Sequence, residues 1–233
     1  MFDSPSRSTV DKDGNVYVAG NLDYKIRKIA PSGIVSTFAG SSAGYEDGLG
    51  VAAKFKTARG IVSDPDGNFF VADYINYKIR KITPNGLVST FAGSTLGDAD
   101  GEGTSAQLVS PYDIAIDKDG NLYVVQYRSR DLRKISPTGQ VSTLPNIIPE
   151  MTGFLFGIAL DSEGNIYISN AQKILKMHPN GSVVVIAGDN QGFADGNGAS
   201  ARFHHPRGLA VDSDMNVYVA DSFNHRIRKI TQE

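Results

Sequence analysis

Several absences narrow what this sequence can be. It contains no cysteine, so disulfides and thiolate chemistry are excluded. No apolar run approaches the roughly 20 residues that a membrane-spanning helix needs, and the N-terminal residues lack the charged and apolar regions of a signal peptide. The net charge is only −2, so no overall basic field is present. We therefore expect neither a nucleic-acid partner nor a membrane span.

Glycine is abundant, with 25 of 233 residues, and it marks the turns of an internal repeat. Five segments align on an acidic turn residue, and these residues are 53, 53, 44 and 51 positions apart: Asp13, Asp66, Asp119, Glu163 and Asp214. A repeat of this length indicates a stacked or radial architecture. We interpret residues 1–233 as a single domain, with repeats at about 2–40, 55–93, 108–144, 154–188 and 203–233.

Each repeat has the pattern of four short strands. In the second repeat an apolar run ends at Asp64, and Asp64-Pro65-Asp66-Gly67 suits a type I turn with a left-handed glycine. The strand-sized runs KIRKI and LVSTF follow, separated by the turn sequence PNG. We predict an all-β fold, a β-propeller of five four-stranded blades whose last blade lacks its outer strand, with 19 strands in all. A fragment of a solenoid is the alternative architecture.

A motif that occurs twice resembles the NHL repeat: A-D-x-x-N-[HY]-[KR]-I-R-K-I, at 72–82 and 220–230. The loop pattern G-x-x-D-G-x-G-x-x-A-x-[FL], at 44–55, 97–108 and 192–203, is similar to that of long-loop NHL proteins of bacteria and plants. The resemblance covers essentially the whole chain. It implies a propeller that presents surfaces to partners, since only some NHL propellers are enzymes. It also favours a bacterial source and an extracellular or cell-surface location.

The charged hairpin of this motif contains candidate structural ion pairs. Asp73 lies across the hairpin from Arg80, and Asp221 lies across from Arg228. We predict two buried or half-buried pairs that hold their hairpins in register. A scaffold role is favoured because the pairs recur from repeat to repeat, whereas a catalytic site needs different groups that converge once.

Two motif positions vary between repeats in an informative way. In the first repeat Arg27 faces Gly20, so we expect this arginine to lack a carboxylate partner. The motif histidine, His225, is replaced by Tyr24 and Tyr77 in other repeats. A position that accepts either ring indicates packing or hydrogen bonding rather than metal binding.

We predict no catalytic residue, no metal site and no cofactor. Only four histidines are present, and no zinc motif, nucleophile elbow or phosphate-binding glycine loop occurs. We interpret the innermost strands as lacking a unique carboxylate, because their aspartates recur at one turn: Asp64, Asp117, Asp161 and Asp212. A metal-dependent propeller enzyme of lyase or lactonase type, with its site at the central channel, is the alternative function.

Two acidic patterns raise the question of calcium. The sequence D-x-D-G-N resembles the start of an EF-hand loop, but the rest of that loop is missing, so a hairpin turn is favoured. The inter-blade loops contain Asp47, Asp100 and Asp195. We expect each of these aspartates to cap the short turn that follows it rather than to bind an ion.

The hairpins between second and third strands are expected on one face of the propeller, together with the loops that connect the blades. We predict that this face combines aromatic and basic side chains with the acids of the long loops. Such a mixture suits a protein or glycan partner better than a phosphate backbone. The candidate binding residues are Tyr24, Tyr74, Tyr77, Tyr127, Arg128, Arg130, Phe223 and His225. We predict a non-catalytic binding or scaffold domain.

The fourth repeat and the two ends depart from the pattern. Leu175 replaces the motif arginine, and we expect this blade to leave a notch flanked by Tyr127 and Phe154. The N-terminal residues align with the loop before the fifth repeat, and the fifth blade lacks its outer strand. We therefore expect the chain to be part of a longer protein, and we expect self-association through the incomplete blade.

Overall fold

The computed structural model describes residues 2–129, 131–144 and 154–231. The first blade consists of β1 (Pro5–Val10), β2 (Val16–Gly20), β3 (Ile26–Ile29) and β4 (Val35–Ala39). The short β5 (Gly48–Leu49) precedes the second blade, which consists of β6 (Ala58–Ser63), β7 (Phe69–Asp73), β8 (Lys78–Ile82) and β9 (Leu87–Ala92). The short β10 (Gly101–Glu102) precedes the third blade, which consists of β11 (Pro111–Ile116), β12 (Leu122–Gln126), β13 (Leu132–Ile135) and β14 (Gln140–Leu144).

The last two blades follow the same order. The fourth blade consists of β15 (Leu155–Leu160), β16 (Ile166–Asn170), β17 (Ile174–Met177) and β18 (Val183–Ala187). The fifth blade consists of β19 (Pro206–Val211), β20 (Val217–Asp221) and β21 (Arg226–Ile230). Short 3-10 turns lie at Gly50–Ala52, Tyr74–Asn76, Gly103–Ser105, Gly198–Ser200 and Ser222–Asn224.

The predicted five-bladed propeller is confirmed. In each blade the strands pair antiparallel in sequence order, and the fifth blade has three strands within the described residues. These residues contain the 19 expected blade strands and two more, β5 and β10, which pair with the outer strand of the following blade. No helix among the described residues is long and apolar enough to cross a membrane.

The turn between the first two strands of each blade is built around its first aspartate. Asp64 Oδ1 accepts a hydrogen bond from the Asn68 amide at 2.8 Å, and Asp64 Oδ2 accepts one from the Asn68 side chain at 2.8 Å. Gly67 adopts φ +82°, which a glycine reaches without steric cost. The same contacts recur at Asp11, Asp117, Asp161 and Asp212. The carboxylates of these turns are therefore occupied by groups of the chain itself.

The hydrophobic core lies between neighbouring blades. Ile79 of the second blade packs with Leu108 and Ile114 of the third and is fully buried. Ile227 is at the equivalent position of the fifth blade and is 71% exposed, since no sixth blade packs against it in the described chain. Self-association through this blade stays a prediction.

The long loops between blades run along the outer edge of the propeller. After β4, the loop pairs through β5 with the first two residues of β9, and the Gly50 amide donates to the Gly86 carbonyl at 2.9 Å. Gly86 lies in the turn between β8 and β9, at the end of the blade opposite the Tyr74–Asn76 hairpin. The loop acid Asp47 accepts from the Thr90 amide in the middle of β9, so the expectation that this acid lies on the hairpin face was wrong.

The second blade is joined to its preceding loop by the buried guanidinium of Arg80. Arg80 Nη1 donates to Asp73 Oδ2 at 3.0 Å and to the Lys54 carbonyl at 3.0 Å. Arg80 Nη2 donates to the Glu46 carbonyl at 2.9 Å and to Asp47 Oδ1. One side chain thus connects the hairpin to both arms of the loop, and the side chains of Arg80 and Asp73 are fully buried.

The loop aspartates have a different role from the one expected. Asp47 does not cap the following turn, because that 3-10 turn has no side-chain cap; instead its carboxylate accepts from Arg80 and from the Thr90 amide. Asp100 and Asp195 contact Arg133 and Arg228 in the same way. The expectation of a cap was wrong because the loop crosses to the next blade, where a buried guanidinium attracts the carboxylate.

Arg133 and Arg228 repeat this arrangement with one difference. Arg228 Nη1 donates to Asp221 Oδ2 at 3.1 Å. Arg133 is fully buried and binds the Gln107 and Ala99 carbonyls at 2.8 and 3.1 Å, although Gln126 stands where the hairpin aspartate would be. Arg133 was not among the arginines expected to form such contacts, and it shows that binding to the loop does not require the hairpin carboxylate.

The first blade compensates for its missing hairpin aspartate. A Cβ built at Gly20 would lie 1.7 Å from Asp23 Oδ1, so the glycine makes room for the Asp23 carboxylate. Asp23 Oδ2 lies 3.9 Å from Arg27 Nη1. The expectation that Arg27 lacks a carboxylate was therefore wrong: the acid is displaced by three positions rather than lost.

Removing the buried guanidinium should destabilise the domain through an uncompensated charge. We expect Arg80→Ala to lower the free energy of unfolding by roughly 3–5 kcal/mol, because Asp73 stays buried without its partner. The Asp73→Ala/Arg80→Ala double variant should lose much less than the sum of the single losses. Urea denaturation measures both. Arg27→Ala is the matched comparison and should cost less, since its pair is longer and partly exposed; equal losses would contradict this assignment.

The turn aspartates should make the stability of the domain sensitive to acid. Burial alone would raise the pKa of Asp117, but hydrogen bonds from Asn121, the Asp119 amide and Tyr123 lower it below the ordinary 3.8. Burial and Asp117 raise the pKa of Tyr123 to about 12. The phenol therefore stays protonated at neutral pH and donates a hydrogen bond to Asp117 Oδ2. A carboxyl with a lowered folded-state pKa adds stability above its unfolded pKa and loses that stability as the pH falls.

We therefore expect the urea midpoint of the wild-type domain to fall between about pH 5 and about pH 3. Asp117→Asn should be less stable than wild type at neutral pH and should lose less on acidification. Asp119→Asn is the control in the same turn, because its carboxylate accepts no hydrogen bond from a described residue. Equal loss of stability on acidification in wild type and Asp117→Asn would contradict the role of this turn.

Candidate functional site

The innermost strands meet closely at the level where the channel opens on the hairpin face. Gly60, Gly157 and Gly208 are at equivalent positions there, and a Cβ at Gly157 would lie 2.0 Å from the Arg207 carbonyl oxygen. The first and third blades carry Arg7 and Asp113 at this position instead. Small residues in three blades therefore leave space for two charged side chains.

Arg7 and Asp113 form an ion pair across the channel. Arg7 Nε lies 2.8 Å from Asp113 Oδ2, and Arg7 Nη2 donates to the Arg207 carbonyl at 2.6 Å. Asp113 is buried and also accepts from the Ile158 amide at 3.1 Å. Burial raises the pKa of the Asp113 carboxyl, while Arg7 acts in the opposite direction. The interpretation that the innermost strands lack a unique carboxylate was wrong. The sequence indicates it by placing Asp113 at a position where three other blades have glycine.

Aromatic rings form a continuous surface above this ion pair. The Tyr112 and Tyr127 rings are stacked with centroids 5.4 Å apart, and Tyr127 is stacked on Phe154 at 4.3 Å. Phe156 lies 5.7 Å from Tyr112 and continues the surface toward the fifth blade. We call the whole set the mouth surface: Arg59, Tyr74, Tyr112, Tyr127, Phe154, Phe156, His204, His205, Arg207 and Phe223.

The fifth blade completes the mouth surface with imidazole and phenyl rings. Phe223 lies with its ring centroid 5.0 Å from that of His204 and 4.7 Å from that of His205. Burial, with the charges of His204 and Arg207, lowers the pKa of His205. The neutral form of His205 is therefore favoured, and its ring packs against Phe156 and Phe223.

Two arginines lie over the rings of the mouth surface. Arg59 Cζ is 4.8 Å from the Tyr74 centroid and 4.4 Å from the Tyr112 centroid. Arg207 Cζ is 5.6 Å from both Phe156 and Phe223. A guanidinium above an aromatic face is held by cation–π attraction and keeps its planar N–H fork available.

Of the eight candidate binding residues from the sequence, three belong to the mouth surface, four do not, and one lies outside the described residues. Tyr74, Tyr127 and Phe223 belong to the mouth surface. Tyr24, Tyr77 and His225 do not: each follows the second strand of its blade in the left-handed conformation, with φ between 55° and 57°. Arg128 is exposed on the third blade, and Arg130 lies outside the described residues.

The remaining members of the mouth surface were missed because they come from the innermost strands and the residues just before them. The second residue of those strands is Arg59, Tyr112, Phe156 and Arg207 in successive blades after the first, where it is Ser6. The variation at this one position was the available signal. The repeat motif drew attention to the hairpins instead.

The predicted notch at the fourth blade falls mostly on residues 145–153, which lie outside the described residues. At its borders, Tyr127 and Phe154 are stacked on each other rather than placed on two sides of a gap. Leu175 is buried in the apolar core where other blades have the arginine, so this blade has no Asp–Arg pair.

Metal-ligating side chains do not assemble in the described part of the chain. Within it, no group of three or more histidine, aspartate or glutamate side chains is placed to hold an ion. A cavity of about 690 Å³ opens on the opposite face, between the turns of the third and fourth blades. Its turn aspartates, Asp117 and Asp161, already accept hydrogen bonds from asparagine and tyrosine side chains.

Comparison with known proteins identifies the family. Residues 95–233 match the profile of the teneurin NHL domain, which covers more than half of the chain. The chain belongs to this family of NHL-repeat β-propellers. The NHL resemblance drawn from the hairpin motif is thereby confirmed.

Relatives of this NHL domain are considerably longer proteins. Protein SUPPRESSOR OF QUENCHING 1, chloroplastic, of Arabidopsis thaliana is 28% identical over 229 residues, which cover 84% of this chain and 22% of the relative. NHL repeat-containing protein 2 of Bos taurus is 24% identical over 278 residues, covering 97% of this chain and 38% of the relative. The chain thus spans well under half of these relatives. Both are eukaryotic, so they lend no support to the expected bacterial source or extracellular location.

Among solved structures, the NHL domain is similar to virginiamycin B lyase from Staphylococcus aureus. The TM-score is 0.70 at 15% identity, and the match covers 98% of this chain and 67% of the other. At this identity the similarity shows the propeller fold alone.

Proposed function

We propose that this NHL propeller is a non-catalytic binding domain that presents the mouth surface to a protein partner. The observation that carries the proposal is the continuous arrangement of rings and guanidinium groups from Arg59 to Phe223. Tyrosine, phenylalanine and arginine are enriched at protein interfaces, and tyrosine and arginine often carry much of the binding energy.

The mouth surface is exposed at its two ends, which supports its use in binding. Phe154 is 45% exposed and Phe223 is 49% exposed, while Tyr112 and Phe156 between them are buried. Because the centre of the surface is already packed, its side chains lose little conformational entropy when the exposed ends enter an interface. A glycan could also stack on exposed rings, and it is an outcome of the test below.

The metal-dependent lyase or lactonase is the weaker alternative. The unusual channel carboxylate, Asp113, is engaged by Arg7 and by the Ile158 amide, both at hydrogen-bonding distance. A carboxylate held in this way serves the scaffold. The described histidines of the mouth surface lie among phenylalanine rings rather than among further ligands.

The proposal predicts that a partner depends on Phe223. We would cross-link the domain to proteins of its source, purify each candidate, and measure its affinity by calorimetry for wild type and two variants. Phe223→Ala should weaken binding at least tenfold, about 1.4 kcal/mol. Phe193→Ala is the matched control, because Phe193 is equally exposed on an inter-blade loop, and it should leave the affinity unchanged.

A partner that binds Phe223→Ala as tightly as wild type would contradict this location for the interface. Saturable binding to glycans with no protein partner would assign the surface to sugars. Conversion of a small-molecule substrate by the purified domain would favour the enzyme.

A further inference from the structure

We infer that the mouth surface recognises an acidic peptide segment of its partner, in which two carboxylates flank an apolar side chain. This inference rests on the proposed function and names the chemistry of the ligand. It follows from two arginines that form no ion pair with a described residue, Arg59 and Arg207, and from the rings between them.

The arginines of this domain differ in whether a carboxylate neutralises them. Arg80, Arg133 and Arg228 each contact at least one aspartate, and so does Arg7 in the channel. The guanidinium groups of Arg59 and Arg207 form no ion pair with a described residue. Their Nε atoms, like those of Arg80 and Arg133, are buried without a hydrogen-bond partner, but their terminal nitrogens also form no hydrogen bond with a described residue. These two cations therefore have binding capacity that the scaffold does not use.

Three acids near the mouth surface are already occupied. Asp73 accepts from Arg80 and from the Lys56 amide, and Asp221 accepts from Arg228 and from the His204 amide. Asp113 is paired with Arg7. Although the chain carries a net charge of −2, the guanidinium groups of Arg59 and Arg207 therefore remain available to an anionic ligand, which is complementary to them.

The rings between the two arginines specify the rest of the ligand. Arg59 lies over Tyr112 and Arg207 lies over Phe156, and the centroids of these two rings are 5.7 Å apart. Tyr112 and Phe156 are buried, but Phe223 beside Arg207 is 49% exposed, so a ligand that reaches the cations meets an exposed apolar ring. Carboxylates match the planar fork of arginine, and an apolar side chain between them matches the rings. A peptide of alternating acidic and apolar residues satisfies both conditions.

The experiment uses fluorescent peptides with Glu-Phe-Glu or Gln-Phe-Gln inside the same glycine–serine sequence, and reads binding by anisotropy. We expect Glu-Phe-Glu to bind at least ten times more tightly than Gln-Phe-Gln, with an affinity that falls as salt rises. Arg59→Gln and Arg207→Gln should each weaken binding about tenfold. Arg128→Gln is the control: Arg128 is exposed on the hairpin face outside the mouth surface, and its loss should change affinity less than twofold. Thermal melting checks that every variant is folded.

Four results would overturn the inference. Equal affinity for the glutamine peptide would remove the role of charge. Equal losses in Arg128→Gln and Arg59→Gln would indicate diffuse attraction rather than a site, and preference for a phosphopeptide or RNA over the acidic peptide would assign the cations to phosphate. If a protein partner depends on Phe223 but not on Arg59 or Arg207, the proposed function stands and the acidic ligand does not.

Discussion

A buried guanidinium in the third strand of a blade holds together parts of the chain that are distant in sequence. Arg80 binds the hairpin through Asp73, and it binds both arms of the preceding loop through two carbonyls and Asp47. Burying this charge is costly unless every contact is made, so the arginine favours one arrangement of loop and blade. The apolar packing between blades supplies stability, and the arginine contacts determine the path of the loop.

The same network distinguishes the arginines of the scaffold from those of the mouth surface. The loop and hairpin aspartates are directed toward scaffold arginines at the outer edge and beneath the hairpins. Arg59 and Arg207, on the innermost strands, are left without such partners and lie over aromatic rings. Contacts that repeat from blade to blade thus form the scaffold, whereas four residues of the mouth surface occupy one strand position that varies between blades.

Much of the fold could be predicted from the sequence, because turns and strand-sized runs repeat with a nearly constant spacing. The contacts of individual side chains were harder to predict. In the first blade, Gly20 stands at the position of the hairpin aspartate, and Asp23, three residues later, supplies the carboxylate instead. Asp47 contacts a strand of the next blade. No local sequence pattern reveals either contact. The mouth surface was only partly predictable: Tyr74, Tyr127 and Phe223 lie in the hairpins, but their neighbours become adjacent only when the ring of blades forms.

Amide hydrogen exchange in an Arg133→Lys variant tests this account most directly. Lysine keeps the charge and most of the stem but cannot bind the Gln107 and Ala99 carbonyls and Asp100 at once. We expect exchange of residues 97–108 to accelerate while residues 44–55, held by Arg80, keep their protection. Unchanged protection of 97–108, or equal acceleration in both loops, would show that the buried guanidinium does not hold its own loop.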